Sequence, residues 1–413
     1  MHWLNNFCMN RKLVKSAICV FFALITVKYL LNLHKAAVNC DGYVIGDWLI
    51  NYSAGFVRRG LSGWVMLELS ELFSVKPNFM VSLVQAFLYL GFISALICLI
   101  RRKAITLWFV FLLLSPATLL FPIWDWLATG RKEIILFFLY AWYVLCLNKG
   151  WLKPGVALLF ALSLVAAVLF HELVFFYLPY FFLVPFLKSK TSDAPFSLWK
   201  TLAIISGAFL VIIPLTLWGQ TINGAKLAAD LIARGLAPAI SKGILSWPAD
   251  FGPRDMWHWA EGYGFPLLYS TTLTLSLLPF LWMAIQCQQP TLDLKTFLVI
   301  LAGLFLFSAP LFVLAVDWGR WINIHCMLLL VTSTFFLRDC PKPAAPDKLD
   351  QDFAMPNLWR SRTMISKRLN HAVFWILGAA YVTLWCLPIC GTLNKHTMDI
   401  YVFFYRLVRA VIQ

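Results

Sequence analysis

The sequence predicts an all-α protein, a polytopic transmembrane bundle of about 11 spans (10–12) with its N-terminus in the cytoplasm. Of the 413 residues, 61% are hydrophobic and only 13% are charged. Soluble domains are about 45–50% apolar and about 25% charged. Apolar runs of about 20 residues, the length that crosses a bilayer as a helix, recur along the whole chain. These features exclude a disordered chain, a coiled coil and a conventional soluble enzyme.

The first apolar run, residues 16–33, follows a basic segment in an order that resembles a signal peptide. It lacks a small-residue cleavage site, so the pattern predicts an uncleaved signal anchor. A longer stretch, residues 155–187, is interrupted only by His171 and Glu172. At about 1.5 Å per residue it is too long for one span, so we predict two short helices that turn at this pair. The other predicted spans are residues 79–100, 104–123, 134–148, 201–222, 266–285, 296–316, 321–337 and 372–390.

These spans form one integral-membrane domain, residues 1–413, with four connecting regions of note. Segment 61–73 is amphipathic, so we expect a helix along the outer membrane interface, with a plain connecting helix as the alternative. The chain end alternates apolar residues with Arg406 and Arg409, which predicts a second interfacial helix. The four regions are the first outer loop (34–78), the long outer loop (223–265), the basic cytoplasmic loop (338–370) and the C-terminal segment (391–413).

The formal net charge of +15 comes from 34 Lys and Arg against 19 Asp and Glu. In the predicted topology the cytoplasmic side holds 19 of the Lys and Arg and 6 of the Asp and Glu, while the outer side holds 15 and 13. Nearly all of the net charge is therefore cytoplasmic, as the positive-inside bias requires. Attraction to anionic lipid accounts for it, so we expect a lipid bilayer as partner and no nucleic acid.

Ionisable side chains gather in five predicted outer loops, where carboxylates stand beside basic residues or tryptophans. The candidates for a functional site are Asp41, Asp47, Arg58 and Arg59 in the first loop, Asp125, Arg131, Lys132 and Glu133 in the second, His171 and Glu172 in the third, Arg254 and His258 in the fourth, and Asp317 and Arg320 in the fifth.

Some of these groups have simpler explanations. Asp317 and Arg320 are three residues apart and suit an ion pair across a helix start. Residues 131–133 suit a charged group that fixes the end of a span. Tryptophans at span ends are typical of an aromatic belt.

Two pairs are harder to explain in this way. His171 and Glu172 lie between two apolar runs with no loop residues around them, so we expect them to face a polar cavity rather than lipid. Arg58 and Arg59 are adjacent on the side of the membrane where positive charge is disfavoured. An anionic ligand would account for them.

Basic and acidic side chains around one cavity suit a substrate with a phosphate leaving group and a hydroxyl nucleophile. Basic groups would hold the phosphate and offset its charge. A carboxylate would take the proton of the attacking hydroxyl, and Trp and Tyr would stack on sugar rings. Carboxylates in three loops could also supply oxygen ligands, so a divalent cation, Mg²⁺ or Mn²⁺, is a candidate cofactor. Neither a metal-spaced Cys or His motif nor a Gly-rich nucleotide loop is present.

A multi-span chain whose first outer loop carries Asp residues and leads into an interfacial helix resembles the GT-C class of integral-membrane glycosyltransferases. It is also similar to the bacterial polymerases that build O-antigen, capsule or exopolysaccharide from undecaprenyl-linked repeats. The matching stretches are residues 41–60, 125–133 and 317–320. The resemblance implies that Asp47 or Asp41 is the catalytic base and that outer-loop Arg and Lys hold the lipid pyrophosphate. The large soluble C-terminal domain of oligosaccharyltransferases is lacking, which disfavours protein glycosylation.

The resemblance implies a surface-glycan transferase or polymerase at the outer, periplasmic face of the bacterial inner membrane. Its partners would be a polyprenyl-phosphate- or polyprenyl-pyrophosphate-linked sugar and a glycan acceptor. In this hypothesis Asp47 is the base, and Glu172 with His171 is the supporting or alternative pair. A transporter or flippase for a lipid-linked glycan or anionic solute is the second hypothesis. The absence of an internal repeat disfavours it. A non-catalytic assembly subunit is the third.

Overall fold

The computed structural model describes residues 11–191, 198–220, 222–246, 253–262, 264–286, 294–339 and 364–390. Throughout these ranges the chain forms helices and turns, with isolated β-bridges at Val57–Gln220 and Lys103–Asp339. The prediction of an all-α fold is confirmed for this part of the chain. The predicted C-terminal interfacial segment, 391–413, and most of the basic loop, 338–370, lie outside the described residues.

The helices of the described residues are numbered along the chain. They are α1 (Arg11–Val38), α2 (Gly60–Leu72), α3 (Pro77–Ile100), α4 (Leu107–Leu114), α5 (Phe121–Trp124), α6 (Glu133–Lys149), α7 (Pro154–Phe170), α8 (Tyr180–Thr191), α9 (Leu198–Trp218), α10 (Gly224–Ala233), α11 (Pro253–Gly262), α12 (Phe265–Gln286), α13 (Leu294–Leu314), α14 (Trp318–Ser333) and α15 (Met364–Thr383).

Within the described ranges, six helices are long and apolar enough to cross a bilayer. They span Leu13–Val38, Pro77–Ile100, Glu172–Ser189, Trp199–Trp218, Phe265–Gln286 and Leu294–Leu314. Length and composition therefore indicate a multi-pass membrane protein. The larger number of about 11 spans and the cytoplasmic N-terminus stay predictions.

Two predicted spans differ from the helices that form. Residues 104–123 were expected as one span, but α4 ends at Leu114 after eight residues, which reach only about 12 Å. Ser115 is extended because Pro116 disfavours a helical conformation in the residue before it. The last helix, α15, begins at Met364, inside the region predicted as loop, and ends at Thr383. By contrast, the predicted turn between α7 and α8 is present, and His171 is extended there.

Helix α14 lies at the centre of the bundle. Every residue from Gly319 to Ser333 is buried, and the helix packs against α4, α6, α8, α12 and α13. Around it, α3 packs between α1 and α6, and α7 packs along α9. The first turns of α6 and α14 and the turn between α7 and α8 meet at one end of the bundle, where their charged side chains touch.

Helix α2 forms where the amphipathic segment predicted a helix, and its position at the membrane interface stays a prediction. It packs closely on the segment between α1 and α2, because Gly63 donates its N–H to the Ile50 carbonyl oxygen at 3.0 Å. A Cβ atom at Gly63 would lie 2.2 Å from that oxygen, so the packing requires glycine. The opposite side of α2 exposes Trp64 and Leu72. The close packing holds the start of α2, and the arginine before it, against the bundle.

Candidate functional site

The segment between α1 and α2 delivers two charged side chains to the end of the bundle. Asp47 begins a 3₁₀ turn and is 2% exposed. Arg59 precedes α2 with a left-handed φ of 67°, which is uncommon outside glycine and is found at functional sites. The next residue, Gly60, lies so close to the Tyr52 ring that a Cβ atom would be 2.4 Å from it. The loop therefore fixes the arginine at a strained position.

Arg59 joins this loop to the turn between α7 and α8. Its Nε donates to Glu172 Oε1 at 2.9 Å and Oε2 at 3.0 Å, and its second terminal nitrogen donates to Oε1 at 2.7 Å. The first terminal nitrogen reaches Asp47 Oδ1 at 3.4 Å. Forked contacts of this kind between guanidinium and carboxylate are the strong, geometrically specific ion pairs. Arg59 thus connects two carboxylates that are far apart in sequence.

A second arginine, at the start of α14, also connects two carboxylates. Arg320 donates hydrogen bonds to Glu133 on α6 and to Asp317, three residues before it. His171 stands between the two halves, with Nε2 3.7 Å from Glu133 Oε1 and Nδ1 3.7 Å from Glu172 Oε2. One continuous network results, which we call the charged cluster. Its members are Asp47, Arg59, Lys132, Glu133, His171, Glu172, Asp317 and Arg320.

Lys132 and Asp47 form the most buried part of the charged cluster. The Lys132 side chain is fully buried, and its Nζ lies 3.8 Å from Asp47 Oδ1. Burial lowers the pKa of Lys132 to about 8, although the Asp47 charge opposes this change. Burial alone would raise the pKa of Asp47, but Lys132 and Arg59 outweigh it and lower the pKa to about 2. Asp47 is therefore an ionised carboxylate at neutral pH.

The loop that carries Lys132 and Glu133 is held by contacts to Gly130. This glycine has a φ of 71°, and a Cβ atom there would meet three side chains below 3.0 Å. Its carbonyl oxygen accepts hydrogen bonds from Trp48 Nε1 at 2.7 Å and from Gln85 Nε2 at 2.5 Å. Gln85 was not among the sequence candidates. A polar residue within an apolar span was the available signal for it.

Three other sequence candidates contact the backbone instead. The Asp41 carboxylate accepts the N–H groups of the next turn, from Tyr43 at 2.9 Å and from Val44 at 2.8 Å. The Asp125 carboxylate accepts from the backbone of residues 127 and 389 at 3.1 and 3.2 Å, and burial raises its pKa. Arg131 donates to the carbonyl of residue 127 at 2.7 Å and covers the Tyr43 ring. Of the two candidate aspartates in the first loop, Asp47 belongs to the charged cluster and Asp41 does not.

The remaining candidates, Arg58, Arg254 and His258, are exposed. Among the contacts described, none joins them to the charged cluster. Helix α11, which carries Arg254 and His258, approaches the site through Trp257, whose ring centre lies 6.3 Å from that of Trp318. These three residues therefore lie at the periphery of the site.

A small cavity of about 40 Å³ adjoins the charged cluster. Arg131, Glu133 and Arg320 form its charged side, and most of the other walls are apolar or aromatic side chains from α1, α3, α6 and α14. Asn323 also lines it and donates to the carbonyl oxygens of residues 117 and 118. The sequence did not single out Asn323, although it too is a polar residue within an apolar run.

The divalent cation considered from the sequence has no evident donor set. Within the described part of the chain, no three His, Cys, Asp or Glu side chains are grouped so that they could hold a metal ion. The carboxylates of the charged cluster contact cationic side chains instead. These residues do not fit Mg²⁺ or Mn²⁺.

Comparisons with protein-family models, curated proteins and solved structures find no match to this chain. The fold and the site together define a multi-pass membrane protein with a buried network of opposite charges at one end of its bundle.

The low pKa of Asp47 makes stability sensitive to acid. Because its pKa in the folded protein, about 2, lies below the ordinary value of 3.8, Asp47 stabilises the fold fully above pH 4. This contribution, about 2 kcal/mol, is lost as the pH falls toward 2. Thermal unfolding of the detergent-solubilised protein should show a loss that is about 2 kcal/mol larger for wild type than for Asp47→Asn. Asp230→Asn, which changes an exposed ion pair on α10, is the control. Equal acid sensitivity of wild type and Asp47→Asn would contradict the prediction.

Proposed function

We propose that this chain is an integral-membrane glycosyltransferase that uses a polyprenyl-phosphate-linked sugar donor. We place its work in surface-glycan biosynthesis, at the outer face of a bacterial inner membrane. The observation that supports the proposal is the charged cluster. Side chains from the first outer loop, from the start of α6, from the turn between α7 and α8 and from the start of α14 meet within contact distance. A buried ionic network is costly in a membrane protein and marks a functional site by default.

The transfer step fits the side chains of this network. The hydroxyl oxygen of the acceptor attacks the anomeric carbon of the donor sugar and forms the new glycosidic bond. The bond from that carbon to the phosphate oxygen breaks, and its electron pair leaves with the lipid phosphate. Arg59 and Lys132 offset the charge that develops on the phosphate. A carboxylate of the charged cluster accepts the proton of the hydroxyl.

Exposure distinguishes the two candidate bases. The Glu172 side chain is 22% exposed, whereas that of Asp47 is 3% exposed and contacts both Lys132 and Arg59. A base must come within hydrogen-bond reach of the acceptor hydroxyl. We therefore assign proton transfer to Glu172, and we assign to Asp47 the positioning of the two basic side chains.

The small cavity beside the charged cluster has mostly apolar and aromatic walls next to Arg131, Glu133 and Arg320. At about 40 Å³ it has no room for a hydrocarbon chain. The lipid part of the donor would therefore lie in the bilayer, and only its phosphate and sugar would reach the charged cluster.

Transport of a lipid-linked glycan or anionic solute is the second candidate function. It is favoured by Lys132, a fully buried cation whose pKa, lowered by burial to about 8, is within reach of physiological pH. Buried ionisable side chains of this kind also occur in pumps and transporters.

One reconstitution experiment separates the two functions. The purified full-length protein is placed in liposomes with radiolabelled lipid-linked glycans extracted from the cells that carry it. An enzyme forms a longer glycan and releases lipid phosphate. A transporter moves the labelled lipid between leaflets without a new glycosidic bond. A result with neither product nor movement would contradict both proposals.

A further inference from the structure

We propose that the Glu172 carboxylate occupies the position of the donor phosphate in the resting protein, and that Arg59, Lys132 and His171 bind that phosphate once Glu172 moves aside. This inference rests on the proposed function and deepens it, because it names the phosphate site and the group that competes for it.

The first observation is a set of buried nitrogen atoms without hydrogen-bond partners in the described structure. Lys132 Nζ and both ring nitrogens of His171 belong to it, and these side chains are at most 1% exposed. Buried polar groups in native proteins are almost always hydrogen-bonded. Lys132 has three donors and His171 has a ring N–H. Both therefore retain the capacity to bind an oxyanion.

The second observation is that these nitrogens border the same carboxylates as Arg59. Asp47 Oδ1 lies 3.4 Å from an Arg59 terminal nitrogen and 3.8 Å from Lys132 Nζ. Glu172 Oε2 lies 3.0 Å from Arg59 Nε and 3.7 Å from His171 Nδ1. The gaps of 3.7 and 3.8 Å are too wide for hydrogen bonds. A tetrahedral phosphate presents more oxygens than a carboxylate, so it can engage Arg59 and also reach the neighbouring donors.

The third observation identifies Glu172 as the carboxylate that can leave. Its side chain and that of Arg59 are 22% and 24% exposed, so their ion pair lies at the accessible edge of the charged cluster. Glu172 also begins a 3₁₀ turn after extended His171. No regular α-helix constrains its backbone. An incoming phosphate would replace the Glu172 carboxylate in its forked contact with Arg59. The freed carboxylate would remain beside the phosphate and act as the base. Proton acceptance would then depend on donor binding.

Calorimetric titration of the detergent-solubilised full-length protein tests this site. Farnesyl phosphate is the probe, farnesol is the uncharged control, and inorganic phosphate is the competitor. Glu172→Gln removes the competing charge while it keeps the side-chain shape, so it should bind farnesyl phosphate about tenfold more tightly than wild type. Lys132→Met and His171→Gln should each bind it about tenfold more weakly. Glu71→Gln, which neutralises an exposed carboxylate on α2 outside the charged cluster, should not tighten binding.

The competitor distinguishes the source of the phosphate. Displacement of the probe by inorganic phosphate at similar concentrations would assign the site to free phosphate, whereas weak displacement would assign it to a lipid headgroup. The inference would be overturned by unchanged affinity of Glu172→Gln for farnesyl phosphate, or by equal binding of farnesol.

If Glu172→Gln does not fold, the affinities of Lys132→Met and His171→Gln decide alone, since both variants keep the Arg59–Glu172 pair. Tighter binding by Glu172→Gln, together with no sugar transfer by the wild-type protein in liposomes, would support the phosphate site and refute the proposed function. Sugar transfer by wild type without tighter binding by Glu172→Gln would refute the phosphate site and support the proposed function.

Discussion

Replacement of Glu172 by glutamine is expected to lower kcat for sugar transfer by about 10²- to 10⁴-fold, the contribution typical of a general base. The amide cannot accept the hydroxyl proton, yet it preserves the size of the side chain beside Arg59. KM for the lipid-linked donor should fall rather than rise, because a competing negative charge is removed. Initial rates at several donor concentrations in the reconstituted system would measure both constants.

Matched variants separate proton transfer from general damage. Glu71→Gln neutralises an exposed carboxylate on α2 that pairs with Arg234, and it should leave both constants unchanged. Asp47→Asn should raise KM, because Arg59 and Lys132 lose the carboxylate that orients them. A Glu172→Gln enzyme with more than a tenth of wild-type kcat would contradict the assignment of the base. If Asp47→Asn alone abolished kcat, the base would be Asp47.

The lengths of apolar runs made much of the helical architecture predictable. Residues 79–100 correspond to α3, and the break at His171 and Glu172 could be read from two polar residues within a long apolar stretch. Residues 104–123 were misjudged, because hydropathy does not register that Pro116 acts on the conformation of Ser115. The sequence also does not predict the start of α15 at Met364. The first turns of this helix are basic, and charge alone made them resemble a loop.

The sequence indicated which residue types gather at one end of the bundle, but not which of them pair. The Asp317–Arg320 contact follows from their spacing of three residues and is present. The Arg59–Glu172 pair joins residues 113 apart, and no local pattern encodes it. Residues 131–133 were treated as one group. Arg131 and Lys132 precede α6 and Glu133 begins it, and the three successive side chains point in different directions. The structure accordingly directs Arg131 to a backbone carbonyl, Lys132 to Asp47 and Glu133 to Arg320.

The Glu133–Arg320 pair should be the most important ionic contact for stability. It joins α6 to the central helix α14, and both side chains are at most 7% exposed. Removal of one partner leaves the other charge buried without adequate compensation, which typically costs about 3–5 kcal/mol. Glu133→Gln and Arg320→Met are therefore each expected to lower the free energy of unfolding by about this amount. Unfolding in mixed detergent–SDS micelles would measure it.

A double-mutant cycle tests whether the cost arises from the unpaired charge. Combining Glu133→Gln with Arg320→Met removes both charges of the pair, so the loss should be clearly smaller than the sum of the two single losses. Arg234→Ala is the surface control. Its ion pairs with Glu71 and Asp230 are substantially exposed and should contribute no more than about 1 kcal/mol. Additive losses in the cycle would mean that the two side chains act separately. The charged cluster would then not couple α6 to α14, because a shared buried pair must give a coupling energy.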